Sequence, residues 1–436
     1  MIDAIQKQID IRFEEINKLR STQNSHVPIS GLPAELLSEV FLCIVESGLQ
    51  YDNTSFTWGT FGFRQVCKHW NEVAIGFPQL WVRWATSAVR AWPLFDTRSK
   101  GAPICLTLRS GSITALAPGG ILTDPTIPGR VRMLDFSGAG DHLECLLGVF
   151  GSNHSSNVSS IRLHATRHSE RGPREHTVAF LSLSFPKLSK LDIKTNFLPD
   201  FSSPIFTTSN LISLKLGSHH RDGVHYTQSQ FSEILQRHSD LQELHLWRGG
   251  MPLVEPSGPS VPVAPPRLVD LRLYGTEVMI SGIMGLVGMT SPLYNVIIHF
   301  ESTSSSSISN LTNTVKEIIA SYYECQGPDH PRRANHLAIS NSEGRYLTFN
   351  VGSRSTSKSH PASNLELRFD GVDNMLAERI CLLFPLGDIL EFTAAGLDLT
   401  RSRYRRILQM MRSLEHLRLD HLDIGPVLGA LNLSMN

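Results

Sequence analysis

A short apolar pattern, L-x-x-L-x-L, recurs along this 436-residue chain beyond residue 100. Clear copies are "LSKLDI" at 188, "LISLKL" at 211, "LQELHL" at 241, "LVDLRL" at 268 and "LEHLRL" at 414. With looser copies included, the fourth residue of the pattern stands at 106, 134, 161, 191, 214, 244, 271, 296, 337, 367, 390 and 417. Successive copies are therefore 23 to 30 residues apart, except for one step of 41. Such a period indicates a stack of small repeated units, and an ordinary β-rich globular domain explains the spacing less well.

The pattern also predicts the local structure of each copy. In a strand, alternate side chains point to opposite faces, so L-x-L places its leucines on one face and its polar residues on the other. We therefore expect a strand near each of the twelve positions, with stacked neighbours burying a continuous apolar column. The long step contains the serine-rich loop "ESTSSSSISN" at 301 and an amphipathic helix near "LTNTVKEIIASYYE" at 311.

Charge and cysteine content exclude several classes of function. Lys and Arg together number 40, as do Asp and Glu, so no long-range basic field exists to attract nucleic acid or an anionic membrane. The six cysteines lie far apart without a C-x-x-C pair, which argues against a zinc site or a disulfide framework. No run approaches the roughly 18 apolar residues of a membrane span. A cytoplasmic or nuclear protein without cofactor or metal is expected.

The first twenty residues predict a short amphipathic helix. Ile2, Ile5, Ile9, Ile16 and Leu19 occupy the a and d positions of a heptad repeat. Arg12 interrupts one d position, with Phe13 beside it. Three heptads are marginal for a free-standing coiled coil, so packing on its own protein and self-association both stay open. The polar segment 21–30 is expected to be a hinge.

Two compact helices are expected next. The first begins at Pro33, which suits a first helical turn, and should end near Ser47 because Gly48 follows. Its apolar residues fall within one arc at about 100° per residue. The second is expected from about Phe61 to Ala74 and is followed by Pro78. A unit of this size cannot cover all of this apolar surface, so part of it should contact another chain or the next domain.

The order of three motifs suggests a family. The chain reads "LPAELLSEVF" at 32, "FRQVCKHWNEVA" at 63 and "FPQLW" at 77. Together they resemble the F-box, particularly the F-box-like proteins of mushroom-forming fungi, over roughly residues 1 to 85. The chain departs from that pattern in the long, aromatic-rich connection "LQYDNTSFTWGTFG" at 49. The resemblance implies docking on a Skp-type adaptor and, through it, on a cullin.

The resemblance also implies which residues bind the adaptor. These residues are Leu32, Pro33, Leu36, Leu37, Val40 and Phe41, with Val66, Cys67 and Trp70 at the boundary between docking surface and core. The later copies resemble leucine-rich repeats of an irregular kind. The predicted fold is therefore α/β, with an N-terminal helix at 1–22, a small all-helical F-box-like domain at 28–85 and a leucine-rich-repeat solenoid at 100–436.

Function follows from these two parts. The chain contains no dinucleotide-binding glycine motif, P-loop, G-x-S-x-G elbow or H-E-x-x-H, so a non-catalytic protein is expected. A substrate-recognition subunit of a Skp–cullin–F-box ubiquitin ligase fits best, with an unknown protein substrate bound by the repeats. Aromatic and basic residues at neighbouring copies, His245, Trp247, Arg272 and Tyr274, are the predicted substrate contacts. The alternative is an interaction scaffold unrelated to ubiquitin that uses the repeat surface alone.

Overall fold

A computed structural model describes most of the chain. The described residues are 2–51, 58–109, 124, 126–139, 143–151, 157–166, 179–195, 200–218, 226–248, 263, 265–287, 293–301, 308–326, 336–342, 346–352, 364–370, 374–397, 399–420 and 424–431. They contain twelve α-helices and fourteen strands, and most neighbouring strands are parallel. The fold is thus mixed α/β, as the sequence predicts. The chain forms two compact units, Met1–Lys187 and Leu188–Asn436.

The first unit begins with helices and continues into parallel strands. Its helices are α1 (Ile2–Ser25), α2 (Ala34–Tyr51), α3 (Lys68–Gly76), α4 (Trp92–Ser99) and α5 (Leu143–Phe150). Its strands are β1 (Arg83–Ala85), β2 (Ile104–Arg109), β3 (Val131–Ala139) and β4 (Ser160–Thr166), each parallel to the next. Short 3-10 helices occupy Pro28–Gly31, Trp58–Gln65, Pro78–Trp81, Thr86–Ala91 and Pro128–Arg130.

Three buried tryptophans join the helical part of this unit to its first strand. The indole Nε1 of Trp81 donates to the Ala74 carbonyl at 2.8 Å, and that of Trp84 donates to the Trp81 carbonyl at 2.9 Å. Trp92 likewise donates to Ala85 at 2.9 Å. Because each buried N–H has a partner, these large rings are buried without an unsatisfied polar group. In the motif "FPQLW", Leu80 and Trp81 thus belong to the core, whereas Gln79 is exposed.

The helix boundaries differ from the sequence predictions at three places. The helix expected over 61–74 is wrong, because Cys67 has extended backbone and separates a 3-10 helix from α3. α2 runs through Gly48 to Tyr51 instead of stopping near Ser47. α1 continues to Ser25, into the segment expected to be a hinge. A lone glycine within a helix costs only about 1 kcal/mol, which neighbouring turns offset.

The second unit alternates strands with helices for most of its length. Its strands are β5 (Lys190–Thr195), β6 (Ser213–Ser218), β7 (Glu243–Arg248), β8 (Asp270–Gly275), β9 (Asn295–Phe300), β10 (His336–Ser342), β11 (Tyr346–Gly352), β12 (Asn364–Asp370), β13 (Glu391–Ala395) and β14 (His416–Asp420). Its helices are α6 (Pro204–Thr207), α7 (Gln228–Arg237), α8 (Glu277–Leu286), α9 (Ile308–Gln326), α10 (Asn374–Cys381), α11 (Arg401–Met410) and α12 (Ile424–Leu431). A further 3-10 helix occupies Leu386–Asp388.

The strands of the second unit are not arranged in simple chain order. Their spatial order is β5-β6-β7-β8-β9-β12-β11-β10-β13-β14. Where the copies at 296 and 337 suggest adjacent strands, β9 instead pairs with β12, in parallel. β10 and β11 form an antiparallel hairpin, and β11 is antiparallel to β12 as well. A strictly sequential stack of repeats is therefore wrong at this point.

The predicted strand positions agree well with the observed strands. Eleven of the twelve positions fall inside strands, and the twelfth, Leu390, lies one residue before β13. Most leucines of the pattern are buried, as in β7, where Leu244 and Leu246 have no exposed surface. The last copy differs, because Leu417 and Leu419 of β14 are only half-buried. α9 confirms the helix predicted after the serine-rich stretch, whose residues 302–307 lie outside the described residues. β1 and β11 have no predicted counterpart.

No helix in the described part of the chain is both long enough and apolar enough to cross a membrane.

Candidate protein-interaction surfaces

α2 divides its apolar side chains into two stripes. Leu37, Phe41 and Val45 recur every four residues and are fully buried. Leu36 and Val40 form a second stripe beside them, in which Leu36 is 54% exposed and Val40 is half-buried. Because residues four apart share a helix face, the second stripe is an apolar surface that the core of this unit leaves partly in solvent.

The turn before α3 adds another exposed apolar residue. Val66 is 49% exposed, while its backbone N–H donates to Phe63 at 3.3 Å and its carbonyl accepts from the Asn24 amide at 3.3 Å. Next to it, Cys67 caps α3, because its Sγ accepts from the Trp70 N–H at 3.5 Å. The cap fixes a turn in which Phe63 and Trp70 are buried and Val66 faces solvent.

The nine predicted adaptor-binding residues fall into two groups by exposure. The accessible or half-buried group consists of Leu32, Pro33, Leu36, Val40, Val66 and Cys67. The buried group consists of Leu37, Phe41 and Trp70. The Phe41 ring stacks on Phe63 with centroids 4.2 Å apart and lies 5.4 Å from the Trp70 ring. Only the first group offers side-chain surface to a partner, and the second holds the helices that present it.

The second unit presents a polar surface, the strand face, built from alternate side chains of β5 to β9 and β12. Neighbouring strands are in register, so these side chains form three rows. The first row is Lys190, Ser213, Glu243, Asp270 and Asn295. The second is Asp192, Lys215, His245, Arg272, Ile297 and Glu366, and the third is Lys194, Gly217, Trp247, Tyr274, His299 and Arg368.

Asp270 is the centre of the polar network on the strand face. Arg272 donates to it twice, from Nε to Oδ1 at 3.0 Å and from Nη2 to Oδ2 at 2.9 Å, and Asn295 Nδ2 donates to Oδ1 at 3.0 Å. His245 Nε2 lies 3.3 Å from Oδ2 without the alignment of a good hydrogen bond. Burial disfavours the charged carboxylate, but His245 and Arg272 outweigh it and lower the pKa of Asp270 to about 2.

Glu243 on β7 forms a second group of polar contacts on the strand face, with Ser213 and Lys215. Its Oε2 accepts from the Ser213 hydroxyl at 2.8 Å and lies 3.3 Å from Lys215 Nζ. Burial raises the pKa of Glu243, but Ser213 and Lys215 bind its charged form, so that the net shift is downward. The carboxylates of β7 and β8 are therefore ionised and hold basic side chains at fixed places along the strand face.

Trp247 lies on the strand face because of a glycine on the neighbouring strand. A Cβ on Gly217 would lie 3.3 Å from both Cβ and Cε3 of Trp247, closer than most real contacts. With no side chain there, Lys194 reaches across β6, and its Nζ lies 4.3 Å from the Trp247 ring centroid. This is a cation–π contact, worth about 0.5–1 kcal/mol at an exposed site. It fixes the orientation of a half-exposed indole.

Tyr274 is oriented by a buried histidine on the next strand. The Tyr274 and His299 rings meet edge to face with centroids 3.8 Å apart. His299 Nε2 in turn bonds to the Asp370 carboxylate at the end of β12. Burial lowers the pKa of His299, although Asp370 opposes the change. This chain of contacts joins β8, β9 and β12 through their exposed-face side chains.

The structure brings the four predicted substrate contacts onto one surface. Trp247, Arg272 and Tyr274 are half-exposed on adjacent strands, whereas His245 is only 3% exposed and supports its neighbours. Sequence reasoning missed Asp270, Lys194 and Gly217. All three stand at alternating positions of neighbouring copies, so an alignment of the copies would have placed them beside the predicted residues.

The charges of the strand face are balanced. The three rows carry five Lys and Arg side chains, and with Asp370 they carry five Asp and Glu side chains. Among the described residues, no three His, Cys, Asp or Glu side chains are grouped as metal ligands. Half-exposed aromatic rings with an Arg among paired charges are typical of protein-binding surfaces.

Comparison with known proteins adds no further assignment, since neither a protein-family model nor a curated protein matches this sequence.

Proposed function

We propose that this protein is the substrate-recognition subunit of a Skp–cullin–F-box type ubiquitin ligase. In this proposal, residues 32–84 form an F-box-like docking module, and the strand-rich remainder is an irregular leucine-rich-repeat solenoid that binds a protein substrate. The observation that carries the proposal is the exposed apolar stripe of α2. It lies within the segment whose motifs resemble the F-box.

The docking half of the proposal rests on surface energetics. Leu36 and Val66 leave about half of their surface in water in the free chain. Fully burying an exposed side chain of this size contributes roughly 1.5–3 kcal/mol, so covering the exposed half of one contributes about half of that. Covering several of them at once supports a stable complex. Leu32 and Pro33 directly precede α2, and the Pro33 carbonyl accepts from Leu37 N–H at 3.0 Å. An adaptor contacting this stripe would therefore also meet these two residues.

The substrate half rests on the strand face. Trp247 and Arg272 are held in place by Lys194 and Asp270 before any partner binds. Such preorganisation reduces the side-chain entropy lost on binding. Because positive and negative side chains alternate on this surface, it suits a folded protein or peptide of mixed charge better than a polyanion.

No residue of this chain needs to act in the chemistry under this proposal. The ligase holds a substrate lysine near a thioester carried by another subunit, which raises its effective concentration and turns a bimolecular encounter into a nearly intramolecular one. The protein would then work in the cytoplasm or nucleus, without a cofactor, and with neither nucleic acid nor membrane as a partner.

The test is direct binding to a purified Skp-type adaptor, measured by calorimetry. Leu36→Asp and Val66→Asp should each weaken binding at least about a hundredfold, since each buries a charge in an apolar contact. Val278→Asp on α8 is a matched control, because Val278 is 61% exposed in the other unit. It should bind like wild type, and all three variants should keep the wild-type circular dichroism spectrum.

The alternative function is a protein-interaction scaffold that uses the strand face without an adaptor. It would replace the ligase proposal if the wild-type chain showed no adaptor binding at micromolar concentration. Equal adaptor affinity of Leu36→Asp and wild type would also remove α2 as the docking surface.

A further inference from the structure

The exposed seam of α1 is a second apolar surface, separate from the α2 stripe. Its heptad residues Ile2, Ile5, Ile9, Ile16 and Leu19 are between 42% and 82% exposed. Every α1 side chain from residue 2 to 23 is exposed. Of the two alternatives left open for α1, packing of its seam on the same chain is not seen among the described residues.

α1 is nevertheless attached to the unit at its C-terminal end. Asn24 Nδ2 donates to the Val66 carbonyl at 3.3 Å, and the backbone N–H of His26 donates to Gln23 at 3.2 Å. These bonds fix the end of the helix, while the seam before them, from Ile2 to Leu19, covers about five turns. In proteins most of the stability of a helix comes from packing of its apolar face, so packing of the seam is what would stabilise α1.

We propose that α1 pairs with α1 of a second copy of this chain as a parallel two-stranded coiled coil. The positions a of the heptad are Ile2, Ile9 and Ile16, and Leu19 occupies a d position. Isoleucine at a with leucine at d, as at Ile16 and Leu19, favours two parallel strands, whereas the pair Ile2 and Ile5 alone would favour a higher oligomer. The remaining d residues are Ile5 and Arg12.

Charge complementarity supports the parallel arrangement. With Ile2 at a, Glu15 occupies g and Arg20 occupies e of the following heptad, and these positions face each other across a parallel pair. Glu15 Oε2 already accepts from Arg12 Nη1 in the same helix at 2.7 Å, which neutralises the charge in the seam. In a parallel pair, Glu15 of one copy and Arg20 of the other would then form an ion pair between the helices.

The balanced charge of α1 also favours a second copy of the chain, and not a lipid surface, as the partner of the seam. Helices that lie on membranes are rich in Lys and Arg on their polar face. α1 contains four acidic and four basic side chains, so it has no net attraction to anionic lipid. This pairing is independent of the proposed ligase function, because no seam residue belongs to the α2 stripe.

Sedimentation equilibrium of the full-length protein tests the inference. Wild type should form a reversible dimer in the micromolar range. Ile9→Asn should weaken it about a hundredfold, because an apolar residue is lost from both helices. The matched control is Ile11→Asn, on the same helix at position c and 40% exposed, which should stay within about threefold of wild type. Arg12→Leu should tighten the dimer at least about tenfold.

Orientation and partner are tested with the same protein. Arg20→Glu should weaken a parallel dimer about threefold to tenfold at low salt, since it faces Glu15 of the other copy. Equal loss in the Ile9 and Ile11 variants, or a monomer at every concentration even for Arg12→Leu, overturns the pairing. An unchanged Arg20→Glu dimer overturns its parallel orientation. Binding of wild type to phosphatidylcholine–phosphatidylserine vesicles in place of dimerisation would also overturn it.

Discussion

The neutral, buried His238 should make the second unit sensitive to mild acid. His238 follows α7 and has no exposed surface, and its Nδ1 accepts from the Leu211 N–H at 3.3 Å. Burial first, and then the positive charge of Arg237, lower the pKa of His238 from 6.5 to about 4. Protonation therefore requires a buried charge and removes the acceptor that the Leu211 amide uses.

The sign and size of the stability change follow from the difference in proton binding between the folded and unfolded states. Between pH 6.5 and 4 the unfolded chain binds a proton at this histidine and the folded chain does not, so stability falls as pH falls. One pKa unit corresponds to about 1.36 kcal/mol, which gives a loss of roughly 2 kcal/mol at pH 5 and roughly 3 kcal/mol at pH 4. Below pH 4 both states bind the proton and this contribution stops growing.

Urea unfolding of wild type and His238→Gln between pH 7.5 and 4.5, monitored on the second unit, measures the effect. The variant is less stable at neutral pH, but its disadvantage should shrink by about 2 kcal/mol at pH 5. His299, whose pKa is also lowered by burial, contributes to both proteins and cancels in the difference. A parallel pH dependence of the two proteins, or an imidazole NMR titration of His238 with a midpoint near 6.5, would refute the reasoning.

Three further predictions concern the two surfaces. Changing Leu32 and Pro33 to Ala should reduce adaptor binding by about 2–4 kcal/mol in calorimetry while the melting temperature stays nearly constant, and an unchanged affinity contradicts their role. Trp247→Ala with Arg272→Ala should weaken capture of the substrate found by pull-down and mass spectrometry, with little change in melting; equal capture removes the strand face as the binding surface. Wild type should lose about 2 kcal/mol of stability through Asp270 as pH falls from 3.8 to about 2, and Asp270→Asn should lack this loss. Acid unfolding curves of the two proteins that stay parallel would speak against this.

The strands could be predicted from the sequence because their signal is local. In β7 and β8 the buried residues Leu244, Leu246, Leu271 and Leu273 alternate with polar ones, and that alternation needs no partner to be recognised. The common spacing then indicates that successive strands are neighbours. It does so correctly from β5 to β9, where each strand pairs with the next.

The same signal fails from β10 to β12, because alternation does not say which strand lies beside which. β11 alternates Leu347, Phe349 and Val351 on its buried side, yet it lacks the L-x-x-L-x-L spacing. Its short connection to β10, three residues long, permits an antiparallel hairpin. Pairing of β9 with β12 is then a tertiary choice that a one-dimensional period cannot express.

The helix break at Cys67 could not be predicted from apolar periodicity either. Phe63 and Trp70 are seven residues apart, which fits one face of a continuous helix as well as it fits two elements in contact. What decides is the cap, in which Cys67 Sγ accepts from Trp70 N–H. Cysteine is outside the usual N-cap residues, so composition gives no warning of this boundary.

On the strand face, some residues could be predicted from their type alone, whereas others matter only because of the strand register. Trp247 and Arg272 stand out in the sequence as interface anchors, but Gly217 matters only because β6 and β7 are paired so that it lies beside Trp247. Arg272 donates from Nε and Nη2 to Asp270, and its side chain is 42% exposed, two residues before Tyr274 on the same face of β8. Since the paired charges are already satisfied within the chain, added charge contacts contribute little net affinity. Under the proposed function, a substrate is therefore selected mainly by the flat surfaces of Trp247, Tyr274 and Arg272, with the surrounding charges excluding partners of a single sign.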